Sequence, residues 1–279
     1  MINKKMTSFI KKVVKKVHHY LLCRKEFFKL NRFIYKIALH GIGVLNFENV
    51  KVSGEKYFLN KISKSIKNPT VFDIGANIGN YTKTIIKSSP RCTIYAFEPH
   101  PKNFEKLNEK FRKKNVTKVN SACGNTEGTM KIYDYDDEGS SHASAIEGVI
   151  KNIHNKDKIE TEVPVIKVDS YVSKKNIDCI DLLKVDTEGY ELKVLKGAEE
   201  IIKKGGVRCL HIEFNEMNVE SRTFMKDIIE FLTEYKVYRM FPNGLVEIKK
   251  YNPPYHEIFA YQNIVAIHKK EKKLIQKLS

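Results

Sequence analysis

Asp73, Gly75, Asn77 and Gly79 stand at alternate positions in the run DIGANIG, directly after a short apolar stretch and before a polar, helix-like one. In a doubly wound α/β sheet that is where a nucleotide binds. Glycine at 75 lets backbone approach a ligand with no Cβ in the way, Asn77 is among the few side chains that accept positive φ, and Gly79 lets a helix pack closely. Glu98 closes the next apolar run, 25 residues after Asp73, where a carboxylate accepts the two hydroxyls of a ribose. A dinucleotide site would set its pyrophosphate on G-x-G-x-x-G, but here Asn77 holds the middle position and no third glycine is in register. An acidic residue at the loop entrance suits a cationic ligand, such as the amino group and sulfonium of S-adenosylmethionine.

These residues need a frame that brings strand ends together. Residues 70–75 and 92–98 read as strands with a helix at about 80–88 between them. Pro99-His100-Pro101 then opens a helix to about residue 114, with proline in its tolerated first turn. Residues 118–123 form a third strand, and 124–128 turn into a hairpin strand at 129–135. A fourth strand at 180–186 leads into a helix with Leu192, Leu195, Ala198 and Ile202 on one face, stopped by Gly205-Gly206. Further strands are expected at 207–214, 236–241 and 263–268, with a helix at about 219–234. Strands alternating with helices specify a parallel sheet built from βαβ units. Residues 136–160 show no sustained periodicity and read as a functional loop or lid that meets substrate.

The 279 residues suffice for one large α/β unit, and 42% hydrophobic with 30% charged residues excludes disordered and low-complexity classes. The formal charge of +17 is concentrated at the ends: +10 lies in residues 1–40 and +4 in 269–279, leaving +3 for the 228 residues between. An enzyme that grips nucleic acid needs a basic stripe on its catalytic body, so nucleic acid is not the expected partner. Residues 9–21 set Phe9, Ile10, Val13, Val14, Val17, Tyr20 and Leu21 at helical spacing opposite Lys11, Lys12, Lys15 and Lys16. Such a helix either lies in plane on an anionic membrane or packs its apolar face on the protein, and the sequence leaves both open. No apolar run reaches the roughly 18 residues of a membrane span, and the lysine-interrupted N-terminus lacks an export signal's core. Five cysteines, odd in number and without a C-x-x-C pair, read as reduced thiols. The expected location is cytoplasmic, peripheral at the inner membrane face on the first reading of the helix.

Four ordered motifs, VFDIGANIGNYT at 71–82, YAFEPHPKNFEKL at 95–107, SACGNTEGTM at 121–130 and IDLLKVDTEGYELKVLKGA at 180–198, with HIEFN at 211–215 behind them, resemble the FkbM-type S-adenosylmethionine-dependent methyltransferases. The resemblance covers about residues 55–268. It implies an α/β fold of the Rossmann-like methyltransferase type, with a seven-stranded, mostly parallel sheet whose last strand is antiparallel. It also implies methyl transfer to a hydroxyl oxygen of a saccharide or small-molecule acceptor. The expected organisation is a basic helical N-terminal extension (1–54), the methyltransferase domain (55–268) and a basic C-terminal tail (269–279).

Carried over by residue, the resemblance gives Asp73, Gly75, Asn77 and Gly79 to the methionine part of the cofactor, Glu98 to the ribose and Ala122 to the adenine edge. A sugar hydroxyl attacks poorly until its proton is taken. The base candidates are Asp186, Glu188, His211, Glu213 and the loop residue His142, all expected at strand ends or in the lid. Plainer readings stand beside them: Glu188 as a helix-opening carboxylate, His211 as a satisfied core histidine, His142 as a loop residue. Asp186, Glu213 and Asn215 together offer oxygen ligands for a divalent metal. Asn252-Pro-Pro-Tyr255 matches the motif with which amino-methyltransferases orient a flipped base. That motif works at the end of the fourth strand, whereas here it lies in the connection before the last one. Base methylation and a non-catalytic cofactor-binding module are the alternatives.

Overall fold

The computed structural model describes residues 4–112, 115–134, 143–153 and 159–278. The chain divides into two compact units, Met1–Val44 and Leu45–Ser279. The first is a pair of helices, α1 (Lys4–Val17) and α2 (Phe28–Gly41), joined through short turns at His18–Leu22 and Lys25–Phe27. Asn31 braces the connection: its amide donates to the Leu22 carbonyl at 2.7 Å and its Oδ1 meets His18 Nε2 at 3.0 Å.

The second unit opens with α3 (Glu55–Ser65) and then alternates: β1 (Thr70–Ile74), α4 (Asn80–Ser88), β2 (Thr93–Phe97), α5 (Pro101–Lys110), β3 (Val116–Val119). After β4 (Ala122–Cys123), β5 (Gly128–Asp134) and β6 (Ile159–Ile166) come α6 (Val168–Lys175), β7 (Leu182–Val185), α7 (Glu191–Gly197), α8 (Glu199–Lys203) and β8 (Cys209–Phe214). The chain closes with α9 (Met217–Glu220), α10 (Met225–Phe231), β9 (Tyr235–Phe241), β10 (Gly244–Glu247), α11 (Pro253–His256), β11 (Gln262–His268) and α12 (Lys272–Leu278).

The main sheet runs β10-β9-β11-β8-β7-β1-β2-β3, with β11 antiparallel to both of its neighbours. The seven expected strands are present, and β10 adds an eighth as an antiparallel hairpin on the edge. The strand expected at 118–123 is split. Its first half pairs with β2, whereas Ala122 and Cys123 join a separate sheet, β4-β6-β5, in which β5 pairs antiparallel with β6. The partner of β5 therefore lies beyond the supposed loop, a non-local pairing that turn signals near residue 128 do not reveal.

Because side chains alternate across a strand, each face of the main sheet builds its own core. Phe72, Ile74, Leu183, Val185, Leu210 and Ile212 face one way, and Val71, Leu182 and Cys209 the other, toward α3, α4 and α12. The basic C-terminus is docked: Leu274 and Leu278 of α12 are buried with Phe58, Leu59 and Ile62 of α3. Burial of such a leucine contributes roughly 1.5–3 kcal/mol. Residues 269–278 thus belong to the second unit rather than to a free tail. Cys92, Cys123 and Cys209 are buried free thiols.

Candidate active site

β1 ends at Ile74, and the chain turns through Gly75 (φ +79), Asn77 (φ +50) and Gly79 (φ +77) before α4 begins. All three lie in the left-handed region, which explains glycine and asparagine at these positions. The reason for Gly75 differs from the sequence expectation. A Cβ there would collide with the Asp186 carbonyl, so the backbone just past the neighbouring strand β7 makes the close approach. At Gly79 a Cβ would collide with Phe111 and Leu107, the helix packing that the sequence implied.

A cleft opens over the carboxyl ends of β1, β2 and β7. Gly75, Asn77, Glu98, Ala122, Asp186 and Glu188 all line it, from four separate stretches of sequence. Glu98 is buried; its Oε2 accepts from the Asn77 amide at 2.7 Å and its Oε1 from the His100 amide at 2.9 Å. Burial pushes its carboxyl up to about 7 against the pull of those two amides. Each oxygen keeps a lone pair for another donor. Phe97, Ala122, Met130 and Ile132 add an apolar slot beside it. The loop expected to be a lid contributes too: Ala143 and Ala145 line the cleft, and the Ser144 hydroxyl donates to the Glu188 carbonyl at 2.6 Å. His142 and residues 135–141 and 154–158 of that segment lie outside the described residues.

Asp73 and His211 are not brought to this cleft. Asp73, Lys184 and His211 are paired in register across β1, β7 and β8, so their side chains share the face packed against α4. Asp73 is fully buried and accepts from the Thr82 hydroxyl at 2.5 Å; His211 Nδ1 meets the Tyr81 hydroxyl at 2.7 Å beside the Phe58 ring. Burial lowers the His211 imidazole to about 4, so it sits in the core as a neutral ring. Lys184, unremarked in the sequence reading, sits 2.6 Å from Asp186 Oδ2 and 4.0 Å from Asp73 Oδ1. Burial alone would lower its ammonium, but Asp186 and Asp73 hold it above its ordinary range. A lysine inside the otherwise apolar run LLKV was the available signal.

The remaining acids cluster at the ends of β7 and β8. Glu188, at φ +52, and the partly buried Glu213 share one donor: Asn215 Nδ2 lies 3.3 Å from Glu188 Oε2 and 3.0 Å from Glu213 Oε1. Burial, then the Asp186 and Glu188 charges, raise the Glu213 carboxyl well above the usual range. Behind them Glu191, buried, accepts from the Thr187 and Gly189 amides at 3.0 Å and from Asn218 Nδ2 at 2.9 Å. Asn218 Oδ1 in turn accepts from the Asn215 amide at 2.9 Å, so one polar network fixes both strand ends. Glu191 and Asn218 escaped the sequence reading because a buried carboxylate that serves backbone amides has no spacing signature. Among the described residues, no group of three or more His, Cys, Asp or Glu side chains is arranged to hold a metal ion. Asn252-Pro-Pro-Tyr255 opens α11, and the Asn252 amide donates to His256 at 2.8 Å, away from the cleft.

A family model described as the methyltransferase FkbM domain matches residues 73–240, which contain the cleft loop, Glu98 and the acidic cluster. The chain belongs to the FkbM methyltransferase family. It is an S-adenosylmethionine-dependent methyltransferase. The 2-O-methyltransferase NoeI of Sinorhizobium fredii is 21% identical over 187 residues, spanning 63% of this chain and 76% of that protein. The hexuronic acid methyltransferase AglP of Haloferax volcanii is 24% identical over 180 residues, spanning 63% of this chain and 66% of that one. Among solved structures, the plantazolicin methyltransferase BpumL in complex with SAH gives a TM-score of 0.39 at 9% identity, with 93% of this chain and 99% of that chain covered.

The cleft suits the family's cofactor: its apolar slot and Glu98 carboxylate match what an adenosine needs. One consequence is a pH dependence. A Glu98 carboxylate that held the ribose would accept its hydroxyls best when ionised, so on that expectation affinity for S-adenosylhomocysteine should fall about tenfold per pH unit below 7. The fold shows the opposite trend. A carboxyl with a raised folded pKa contributes stability below its unfolded value, and that contribution is lost as pH rises through about 7. Calorimetric titration from pH 5.5 to 8 reads the first effect, and Glu98→Gln should flatten it; a flat wild-type profile would remove Glu98 from the ribose.

Proposed function

We propose that this FkbM-family enzyme methylates a hydroxyl oxygen of a saccharide or glycan precursor, with the Glu188–Glu213 pair receiving the hydroxyl proton. The observation that carries the reading is the single Asn215 side-chain amide that ties Glu213 to Glu188, a residue that lines the cofactor cleft. Two like charges so close favour one shared proton, which suits a group that must take up a proton near neutral pH. The names of the two relatives, a 2-O-methyltransferase and a hexuronic acid methyltransferase, support a sugar acceptor.

In this reading Gly75 and Asn77 border the methionine part, Glu98 takes the ribose and Ala122 flanks the adenine. S-adenosylmethionine supplies an electrophilic methyl on a positively charged sulfur. The protein's largest contribution is to hold the acceptor oxygen in line, about 3 Å from the carbon it attacks. The Glu188–Glu213 pair would take the proton from the attacking hydroxyl as its oxygen is methylated. Asp186, anchored by Lys184, contributes a fixed negative charge beside the cleft. The proposed setting is the cytoplasm, with residues 9–21 in contact with the inner membrane face, where lipid-linked saccharides are presented.

The test is methyl transfer from labelled S-adenosylmethionine to a panel of uronic acid and neutral oligosaccharides, with RNA and DNA as parallel acceptors. Base-stable label on a sugar oxygen is the expected product. Label on nucleic acid bases would replace this reading with base methylation, and cofactor binding without transfer to any acceptor would leave a binding module.

A further inference from the structure

The sequence left the N-terminal helix with two fates, and within the first unit its apolar face has no cover from α2. On α1, Phe9, Ile10, Val13, Val14 and Val17 are all exposed, by 42 to 68%. The second helix, which the sequence reading passed over, repeats the design: Leu30, Phe33, Ile34 and Ile37 recur at i, i+3, i+4 and i+7 and are exposed by 43 to 61%. Lys29, Lys36 and His40 flank this face of α2 along the Phe33 edge, with Arg32 beyond them, whereas Lys11, Lys12, Lys15 and Lys16 lie opposite the apolar face of α1. Two consecutive helices thus present uncovered apolar faces within a unit of net charge +10, in which Glu26 is the lone acid.

We propose that α1 and α2 form a two-helix device that docks on an anionic lipid bilayer, laying both apolar faces into the headgroup boundary. Charge selects this occupant. Pairing with a second copy would cover the apolar faces but bring two strongly basic units together, whereas nucleic acid would match the charge and leave the apolar side chains in water. An anionic bilayer satisfies both at once, through lysine and arginine at the lipid headgroups and valine, isoleucine and phenylalanine below them. No helix among the described residues is long and apolar enough to cross a membrane, so the contact is in plane. The inference rests on the first unit alone and does not depend on the proposed acceptor.

The chain contains no tryptophan, which makes Phe33→Trp a single fluorescent reporter in the full-length protein. With vesicles of phosphatidylcholine and phosphatidylglycerol, its emission should shift to the blue and be quenched by brominated acyl chains. With phosphatidylcholine alone both effects should be weak. Flotation of Phe33→Asp/Ile37→Asp protein should show partitioning at least about tenfold weaker than wild type, while S-adenosylhomocysteine affinity, a property of the other unit, stays unchanged. Three outcomes would overturn the proposal: no emission shift on anionic vesicles, partitioning that the aspartates leave intact, or a stable dimer that they dissociate in a protein that ignores vesicles.

Discussion

Lys184→Met should lower the unfolding free energy by about 3–5 kcal/mol at pH 7, the usual cost of removing one partner of a buried ion pair. Methionine fits the space of the lysine stem, so packing is largely kept and the loss is electrostatic. Asp73 has no access to solvent, and without the ammonium it is left with the Thr82 hydroxyl and backbone, both neutral partners. Burial already raises its carboxyl, with Lys184 the main opposing influence. A carboxyl with a raised folded pKa is best tolerated protonated, so the deficit of the variant should shrink as pH falls below neutrality. Urea unfolding at pH 7 and pH 5.5 measures both effects. Adding Asp73→Asn should restore most of the lost stability. A deficit under about 1 kcal/mol, the range of exposed ion pairs, would mean that the row Asp73–Lys184–His211 is not what secures β1 to β7.

Glu213→Gln should cut turnover by about 10²–10⁴, the span of general-base contributions, with S-adenosylhomocysteine affinity close to wild type. The substitution keeps the side chain's shape and leaves an oxygen to accept from Asn215, so a purely structural role would show as altered melting rather than altered rate. The wild-type rate should climb with pH through the range above ordinary carboxylates, because Glu213 is raised and only its ionised form takes a proton. That rising limb should vanish in Glu213→Gln. A variant that keeps the wild-type rate and limb would move the base to Asp186 or Glu188, which line the cleft themselves.

The frame was legible to the extent that contacts are local. The α4 boundaries, the strand β2 that ends at Phe97 just before Glu98, the start of α5 and the turn through Asn77 follow from apolar run lengths, a proline-marked helix start and the few residue types that tolerate positive φ. What failed depended on distant partners. Strand β6 and helix α6 were not foreseen, because IETEVPVI becomes a strand only when β5 lies alongside it and the intervening residues give no hint of that pairing.

Four of the six residues expected at the cofactor do line the cleft, and the reason for the other two is geometric. Gly79 serves helix packing. Asp73 ends on the opposite face because a parallel strand covered on both sides has no polar alternation to mark which face opens to a ligand. The same ambiguity let His211 read as a base candidate and hid Lys184. By itself, then, the sequence determined the βαβ order, the glycine-asparagine turn, the Glu98 position and the segregation of basic charge to the ends, since each is set by residue type and local spacing. Only the tertiary structure decided which acids meet at the cleft, which are neutralised beneath it, and that α1 and α2 leave each other's apolar faces uncovered, since those outcomes depend on strand register and on what packs within each unit.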